Sequence, residues 1–145
     1  MRLSPHFTLA EFVTSQEAAR RGIDNTPAHD VVERLRRTAA GLEAVRIRLG
    51  GAPIIVTSGY RSSQLNDAIG GSKTSQHMRG EAADIICPSF GGPSEVAAAL
   101  RDSGIEYDQL ILEFGRWVHV SFSDRPRHMA LIIDQAGTRP MWNAT

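Results

Sequence analysis

The chain has 145 residues, 41% of them hydrophobic, which fits one compact domain able to bury an ordinary core. Sixteen basic and sixteen acidic residues give a formal net charge of zero, so no overall charge attracts the chain to nucleic acid or an anionic membrane. The single cysteine, Cys87, excludes an intramolecular disulfide and a cysteine-rich zinc knuckle.

The start of the chain has no continuous apolar segment, and no stretch approaches the roughly 18 apolar residues of a membrane span. We therefore expect a monomer made in the cytoplasm without a signal peptide and without membrane insertion. A substrate outside the cytoplasm would be reached only after release or carriage of the protein. Nucleic acid is not an expected partner.

The first predicted elements are helices. Residues 8–11 have the spacing of a capping box, and residues 15–21 predict a further short helix that Gly22 ends. The longest helix is predicted to begin at Thr26 as its cap, with Pro27 in the first helical position. Apolar residues then recur at helical spacing until residues 50–51.

Most of the remaining predicted elements are strands. Strands are predicted at 54–58, 82–86 and 129–134, with a hairpin of two strands at 109–114 and 117–122. Short helices are predicted at 62–68 and 93–100. The strands cluster after a helical N-terminal third, and two of them are connected through a hairpin. This order predicts an α+β fold with a small antiparallel sheet and helices packed on one side, in preference to a parallel βαβ architecture. We expect one domain over 1–145, with a helical portion at about 1–50 and a metal-binding sheet portion at about 51–134.

Three residues suit a zinc ion: His77, Asp84 and His119. Two imidazoles and a carboxylate are ligands that zinc accepts, and three protein ligands leave a fourth position open, as in catalytic sites. Gly80 permits the turn that would bring His77 and Asp84 together, and His119 would join them from the second hairpin strand. An isolated His or Asp is more often an ordinary hydrogen-bonded residue, so the surrounding pattern is what favours metal here.

That pattern consists of several ordered motifs. Ser75-x-His77-x-x-Gly80-x-Ala82-x-Asp84 is followed by Trp117-Val118-His119, and the stretches Thr57-Ser58-Gly59-Tyr60-Arg61-Ser62, Asn66 and Tyr107-Asp108-Gln109-Leu110-Ile111 accompany it. Over roughly residues 50 to 125, the chain resembles the M15 zinc peptidases, which have the Hedgehog/D-Ala-D-Ala-peptidase fold. Its helical N-terminus is similar to that of phage-encoded members.

The resemblance implies that one Zn²⁺, held by His77, Asp84 and His119, activates a water that hydrolyses peptide bonds in peptidoglycan stem peptides. It places Arg61 where members of the family bind or stabilise the oxyanion, which agrees with the value of a fixed guanidinium beside developing negative charge. It also implies a phage lysis or virion enzyme acting on the cell wall. Endopeptidase action is favoured over D,D-carboxypeptidase action, since the sequence identifies no spare cation for a terminal carboxylate.

Glu113 is the candidate general base. Several branches of the family have an acid three residues before the last histidine ligand, but here that position is Arg116. Glu113 shares a face with the ligand if it pairs with Trp117 across a turn of residues 114–116, or if the hairpin contains a bulge. A two-residue turn would put it on the opposite face. We predict the longer turn, since Gly115 can take a positive φ and an unpartnered acid among apolar neighbours is costly. The alternative is an exposed edge carboxylate on a non-catalytic module that binds wall peptides or a partner protein.

Five further residues are assigned around the metal. Trp117 and Tyr60 are candidates to line a substrate groove, although strand aromatics more often belong to the core. Ser75 is a candidate to orient His77 or bind substrate, unless it is an ordinary turn hydroxyl. Asp108 and Ser121 are candidates to accept the second N–H of a ligating imidazole.

Overall fold

A computed structural model of the protein describes residues 1–142. Its helices are α1 (Leu9–Val13), α2 (Gln16–Arg21), α3 (His29–Arg48), α4 (Ser63–Ala68), a 3-10 helix (Gln76–Arg79) and α5 (Pro93–Arg101). Its strands are β1 (Arg2–Ser4), β2 (Phe7–Thr8), β3 (Ile55–Ser58), β4 (Ala82–Ile86), β5 (Gln109–Glu113), β6 (Trp117–Ser121), β7 (Met129–Asp134) and β8 (Gly137–Pro140). None of the helices in this range has both the length and the apolar character needed to span a bilayer.

The predicted short helices are present, and local hydrogen bonds explain their ends. The carboxylate of Glu11 accepts a hydrogen bond from the backbone N–H of Thr8 at 2.9 Å, as in a capping box. Ser15 caps α2 by accepting a hydrogen bond from the N–H of Ala18 at 3.1 Å. Gly22 ends that helix in the left-handed conformation, with φ at 67°.

The long helix α3 begins later than predicted. Its first residue is His29, so Thr26 is not its cap and the prediction was wrong at this end. The side chain of Asn25 explains the delay, because it donates to the backbone carbonyls of Val13 at 2.9 Å and Tyr60 at 3.0 Å. These bonds tie the segment before α3 to the end of α1 and to the residues after β3, and Ala28 at its end has an extended backbone, with φ at −70° and ψ at 164°.

Six strands form one sheet in the order β3-β4-β6-β5-β7-β8. Neighbouring strands are antiparallel except β5 and β7, which pair in parallel. The α+β class is therefore confirmed, although the sheet is larger than predicted and contains one parallel pair. Strand β8 lies beyond the predicted end of the sheet at 134 and has four exposed residues without apolar alternation. It is held by pairing with β7 and by an ion pair between Arg139 and Asp134 at 2.7 Å, which a hydropathy pattern does not reveal.

The central strands have one apolar and one polar face, because successive side chains of a strand alternate. Their buried apolar residues are Ala83, Ile85, Leu110, Leu112, Val118 and Val120. The helices α3 and α5 contribute to the same core, with Leu35, Ala39, Leu42, Val45, Val96, Ala97 and Leu100. The alternate positions of the strands carry Asp84, Glu113 and His119 on the opposite face, so strand periodicity alone separates the core from the polar site. Cys87 is free and buried.

Candidate metal centre

The 3-10 helix Gln76–Arg79 carries His77 to the polar face of the sheet. Ser75 fixes its start, because its Oγ accepts a hydrogen bond from the N–H of His77 at 3.2 Å, and Gly80 ends it with φ at 77°. The buried His77 ring donates from Nδ1 to the carbonyl of Gly59 at 2.7 Å. Since a carbonyl only accepts, this bond fixes the tautomer and leaves Nε2 available to a metal.

Gly59 has to be a glycine at this position. It packs directly against the backbone of Phe12, and a Cβ on Gly59 would overlap that backbone. The close approach places the Gly59 carbonyl beneath the imidazole of His77. The sequence analysis did not identify this role, although a glycine between a strand and Arg61 is the kind of signal that marks close backbone packing.

Asp84 and His119 lie directly opposite each other on β4 and β6. The Oδ1 atom of Asp84 is 3.1 Å from Nδ1 of His119 and 3.3 Å from Nε2 of His77. Burial alone would raise the pKa of Asp84, but hydrogen bonds and charge from His119 and His77 outweigh it and hold the pKa well below its usual value of 3.8. The carboxylate is therefore ionised, as a metal ligand must be.

The three donor atoms are close enough together to share one metal ion. One ligand atom from each of His77, Asp84 and His119 lies within 4.8 Å of the others. Zinc–ligand bonds of about 2.0–2.2 Å at tetrahedral angles put neighbouring ligand atoms about 3.4 Å apart. The observed separations from Asp84, 3.1 and 3.3 Å, are close to that value. Among the described residues the group has no fourth His, Cys, Asp or Glu, which suits a catalytic site more than a structural one.

The register of the hairpin confirms the predicted position of Glu113. Glu113 pairs with Trp117 and Ile111 with His119, so the connecting turn has three residues. Gly115 takes a positive φ of 65°, as predicted, and Phe114 before it also has a positive φ of 55°. Glu113 consequently shares a face with His119, and its Oε1 accepts a hydrogen bond from Nε1 of Trp117 at 2.7 Å.

Arg61 is fixed beside the three candidate ligands by bonds at both ends. Its backbone N–H donates to the carbonyl of His77 at 3.1 Å, and its Nη2 donates to Oγ of Ser75 at 3.3 Å. Its Nε is buried and has no hydrogen-bond partner within residues 1–142. Burial lowers the pKa of Arg61, while the negative charges of Asp84 and Glu113 oppose that shift, and a guanidinium remains charged in any case.

A cleft of about 750 Å³ opens on this face of the sheet, and Arg61, Glu113 and Trp117 line it together with the three candidate ligands. Tyr60 was predicted to line the same groove, but it does not. It lies in a separate groove between α1 and β3, packed against the edge of the core. The Tyr60 ring is partly buried against the core, whereas the Arg61 side chain bonds to Ser75 beside the ligands.

Asp108 and Ser121 have partners other than the imidazoles, which corrects their predicted roles. The buried carboxylate of Asp108 accepts hydrogen bonds from N, Nε and Nη2 of Arg127 and from Nε2 of Gln76, at 2.7–2.9 Å. The hydroxyl of Ser121 accepts from the backbone N–H of the first residue of β5 at 3.0 Å. Gly59 supplies the carbonyl that orients the His77 ring instead.

The sequence analysis did not identify Gln76 or Arg127, both of which line the cleft. Gln76 is the residue immediately before the first candidate ligand, and Arg127 lies in a basic stretch soon after the last one. Proximity to the ligands was a usable signal for both. Their shared partner, Asp108, could not be inferred, because the contact depends on how the connection after β6 crosses the sheet.

Comparison with known proteins agrees with this geometry. A family model described as Peptidase M15 matches residues 5–121, a span that includes the three candidate ligands, Arg61 and Glu113. Over 63 residues the chain is 41% identical to the zinc D-Ala-D-Ala carboxypeptidase of Streptomyces albus G, an alignment that covers 43% of this chain and 24% of that protein. The chain therefore spans about a quarter of the length of this curated relative. On the match across most of its length, the chain belongs to the M15 family of peptidases.

Proposed function

We propose that the protein is a zinc metallopeptidase that hydrolyses peptide bonds in the stem peptides of bacterial peptidoglycan. The observation that carries the proposal is the convergence of His77, Asp84 and His119 in one cleft with Arg61 and Glu113. Membership of the M15 family supports the reaction class. The zinc and D-Ala-D-Ala specificity in the name of the Streptomyces relative support the metal and the substrate class.

The zinc would be held by Nε2 of His77, Oδ1 of Asp84 and Nδ1 of His119. Bound by three protein ligands, zinc supplies a Lewis acid that polarises a carbonyl and lowers the pKa of water. The protein contributes a rigid frame for this chemistry. Two of the ligands face each other across paired strands, and the third is oriented by the Gly59 carbonyl.

Glu113 is proposed as the general base. It would accept the proton of the attacking water and return it to the nitrogen of the leaving amine. The indole N–H of Trp117 holds Oε1 at 2.7 Å, whereas Oε2 accepts no hydrogen bond from the described residues. One oxygen therefore orients the carboxylate and the other is available for the proton.

Arg61 is proposed to stabilise the tetrahedral intermediate. Its backbone is bonded to His77 and its side chain to Ser75, so its position is set before substrate arrives. A fixed guanidinium stabilises the oxyanion more than the neutral carbonyl of the ground state. The buried Nε without a partner is a donor available to that oxygen.

We favour endopeptidase action over D,D-carboxypeptidase action. A carboxypeptidase needs a cation for the terminal carboxylate close to the scissile bond. Arg61 is assigned to the oxyanion, and Arg79 is paired with the buried Glu81 at 2.7 Å. Arg127 also lines the cleft, but it is held by Asp108, three residues along β5 from the level of His119 and so not beside the scissile bond. Carboxypeptidase action remains the second candidate because it is the activity named for the Streptomyces relative. We also propose a role in lysis, the role expected from the resemblance of the helical N-terminus to phage-encoded members.

Digestion of purified sacculi tests the proposal. The zinc-loaded protein should release fragments with new amine and carboxyl ends, identified by mass spectrometry, and a chelator should stop the reaction until zinc is restored. Release of single terminal D-Ala residues would indicate carboxypeptidase action, whereas cleavage within stems or cross-links indicates endopeptidase action. Intact sacculi in the presence of stoichiometric zinc, with the protein sedimenting on them, would instead support a non-catalytic binding module.

A further inference from the structure

The connection between β6 and β7 crosses the start of β5. Strand β7 is parallel to β5 and lies on the side away from β6, so residues 122–128 have to pass the N-terminal end of β5. Asp108, the residue just before β5, meets them there. Its N–H donates to the carbonyl of Ser121 at 2.8 Å, and its own carbonyl accepts from the N–H of Met129 at 2.9 Å. Backbone bonds thus fix both ends of the connection against Asp108.

The side chain of Asp108 fixes Arg127 in addition. The carboxylate is only 2% exposed and accepts three hydrogen bonds from Arg127, from its N, Nε and Nη2 atoms. The pKa of Asp108 is held below its ordinary value of 3.8, chiefly by the hydrogen bond from Arg127. Gln76, beside the first candidate ligand, donates to the same carboxylate at 2.8 Å. One buried acid therefore joins Arg127 to the element that carries His77.

Arg127 retains free hydrogen-bonding capacity toward the cleft. Its side chain is 54% exposed, it lines the cleft, and its Nη1 has no hydrogen-bond partner within residues 1–142. A free arginine loses considerable rotamer freedom when it binds a ligand, but Arg127 is already ordered by Asp108. The guanidinium can therefore bind a planar anionic group at a low entropic cost, and a carboxylate matches its fork.

The strand register sets how far this group lies from the metal ligands. Asp108 precedes Ile111 by three residues, and Ile111 lies opposite His119. At about 3.3 Å per residue, Asp108 is about 10 Å along the sheet from the level of the ligands. An extended peptide advances about 3.3–3.6 Å per residue, so this separation corresponds to two or three substrate residues, or to a branch of similar length.

We propose that Arg127, oriented by Asp108, is a specificity residue that binds a carboxylate of the substrate two or three residues from the scissile bond. The proposal rests on the proposed peptidase function and defines the substrate more narrowly as an acidic peptide. Arg127 is a binding residue in this account and Asp108 a positioning residue. A purely structural role, in which Arg127 only pins the connection, predicts no preference between charged and neutral substrates.

Matched peptide substrates test the proposal. The two peptides of a pair have the same sequence and differ at one side chain, two or three residues from the scissile bond. Its carboxylate is free in one peptide and converted to the amide in the other. The zinc-loaded wild-type protein should cleave the free form with kcat/KM about tenfold higher or more, mainly through KM. Arg127→Gln should bring the ratio of kcat/KM between the free and amidated peptides near one, and Arg127→Lys should retain part of it.

Asp108→Asn should reduce the same ratio, because the guanidinium of Arg127 loses its fixed orientation. Arg116→Gln is the control, since Arg116 is exposed and lies outside the residues that line the cleft, and it should keep the wild-type ratio.

A second measurement separates this proposal from the peptidase assignment. Calorimetric binding of the same peptides to zinc-loaded Glu113→Gln protein, with and without Arg127→Gln, should show the same ratio in Kd. If the wild-type protein cleaves neither peptide, the peptidase function fails, while the Kd ratio still decides the role of Arg127. The proposal would be overturned if the wild-type protein bound and cleaved the free and amidated peptides equally well. It would also be overturned if folded Arg127→Gln protein lost affinity and kcat/KM equally for both peptides. Zinc content and circular dichroism verify folding, and Arg127→Lys replaces the glutamine variant if that variant does not fold.

Discussion

Glu113 lies directly opposite Trp117 across a three-residue turn and accepts a hydrogen bond from its indole N–H at 2.7 Å. This pairing puts the acid on the face of the candidate metal ligands, although Glu113 precedes His119 by six residues and the expected acid position holds Arg116. A turn one residue shorter would reverse the face of every residue on one strand relative to the other. The length of this turn therefore decides whether the carboxylate of Glu113 lies in the cleft.

Replacing Glu113 with Gln should abolish turnover while leaving the metal bound. General acid–base catalysis contributes on the order of 10²–10⁴-fold, so we expect kcat to fall by at least about a hundredfold. The amide can still accept the hydrogen bond from Trp117, so zinc content should match the wild type. Arg116→Gln, in the same turn and exposed, is the control and should keep its activity. Undiminished wall degradation by Glu113→Gln would remove this residue from the mechanism.

Asp84→Asn should cost the protein its zinc. The amide is neutral and would leave two imidazoles around a 2+ ion without the carboxylate charge. We expect wild-type protein to keep about one zinc per chain after dialysis and to gain thermal stability from added zinc, and the variant to do neither. His128→Ala removes an exposed histidine that stacks on Tyr107 and serves as the control. Stoichiometric zinc in Asp84→Asn protein would contradict the proposed ligand set.

Arg61→Lys should lower kcat much more than it raises KM. Lysine keeps the charge but lacks the planar fork that reaches both Ser75 and the oxyanion, and loss of an oxyanion donor costs roughly 10²–10³-fold. Arg48→Lys, at the end of α3, is the control for an arginine outside the cleft. An increase in KM with kcat unchanged would assign Arg61 to ground-state binding instead.

The contribution of Asp108 to stability should disappear in acid. Hydrogen bonding from Arg127 lowers the pKa of Asp108 in the folded state, so the carboxylate stabilises the fold above its unfolded pKa of about 3.8 and loses this effect as pH falls through the folded value. The difference in unfolding free energy between wild type and Asp108→Asn should be constant from about pH 5 to pH 8 and shrink below about pH 4. Urea unfolding measures it. A difference that is the same at pH 3 and pH 7 would mean that Asp108 stabilises the fold through packing and not through its charge.

Gly41→Ala should destabilise the protein even though Gly41 lies in the middle of α3. Alanine normally adds about 1 kcal/mol to a helix interior. Here the new Cβ would lie 2.5 Å from the ring of the buried Phe122, and overpacking costs about 1–3 kcal/mol. In a Phe122→Leu background the ring is absent, so Gly41→Ala should there increase the free energy of unfolding. Chemical unfolding of the double variant and of Phe122→Leu alone measures this difference. An increase in stability from the single change would show that the ring moves aside freely.

Periodicity and turn chemistry in the sequence predicted most of the elements. The strands Ala82–Ile86 and Met129–Asp134 begin and end as predicted, because β-branched and apolar runs there are bounded by clear breaks. The hairpin register also followed from the sequence, since burial of an acid without a partner is costly. The site was predictable to the same extent: Asp84, His119 and Glu113 lie on one face of the sheet, and His77 joins the two ligands there from the 3-10 helix.

What the sequence missed depends on contacts between distant segments. The parallel pairing of β5 with β7, and the addition of the exposed strand β8, require knowing where the connection after β6 crosses. The partners of Asp108 follow from that crossing, and the displaced start of α3 follows from side-chain bonds of Asn25. In each case a polar side chain forms a long-range hydrogen bond that no local pattern encodes.

The pairing of β4 with β6 has a consequence for biosynthesis. Asp84 and His119 are 35 positions apart, and β5 and α5 lie between them in the chain. A ribosome-bound chain that ends before β6 lacks one of the three donors, and contacts between remote segments form late in folding because closing the intervening loop is costly. Binding of zinc by all three ligands therefore has to follow the pairing of β4 with β6, and a chain that ends before β6 should not retain the ion.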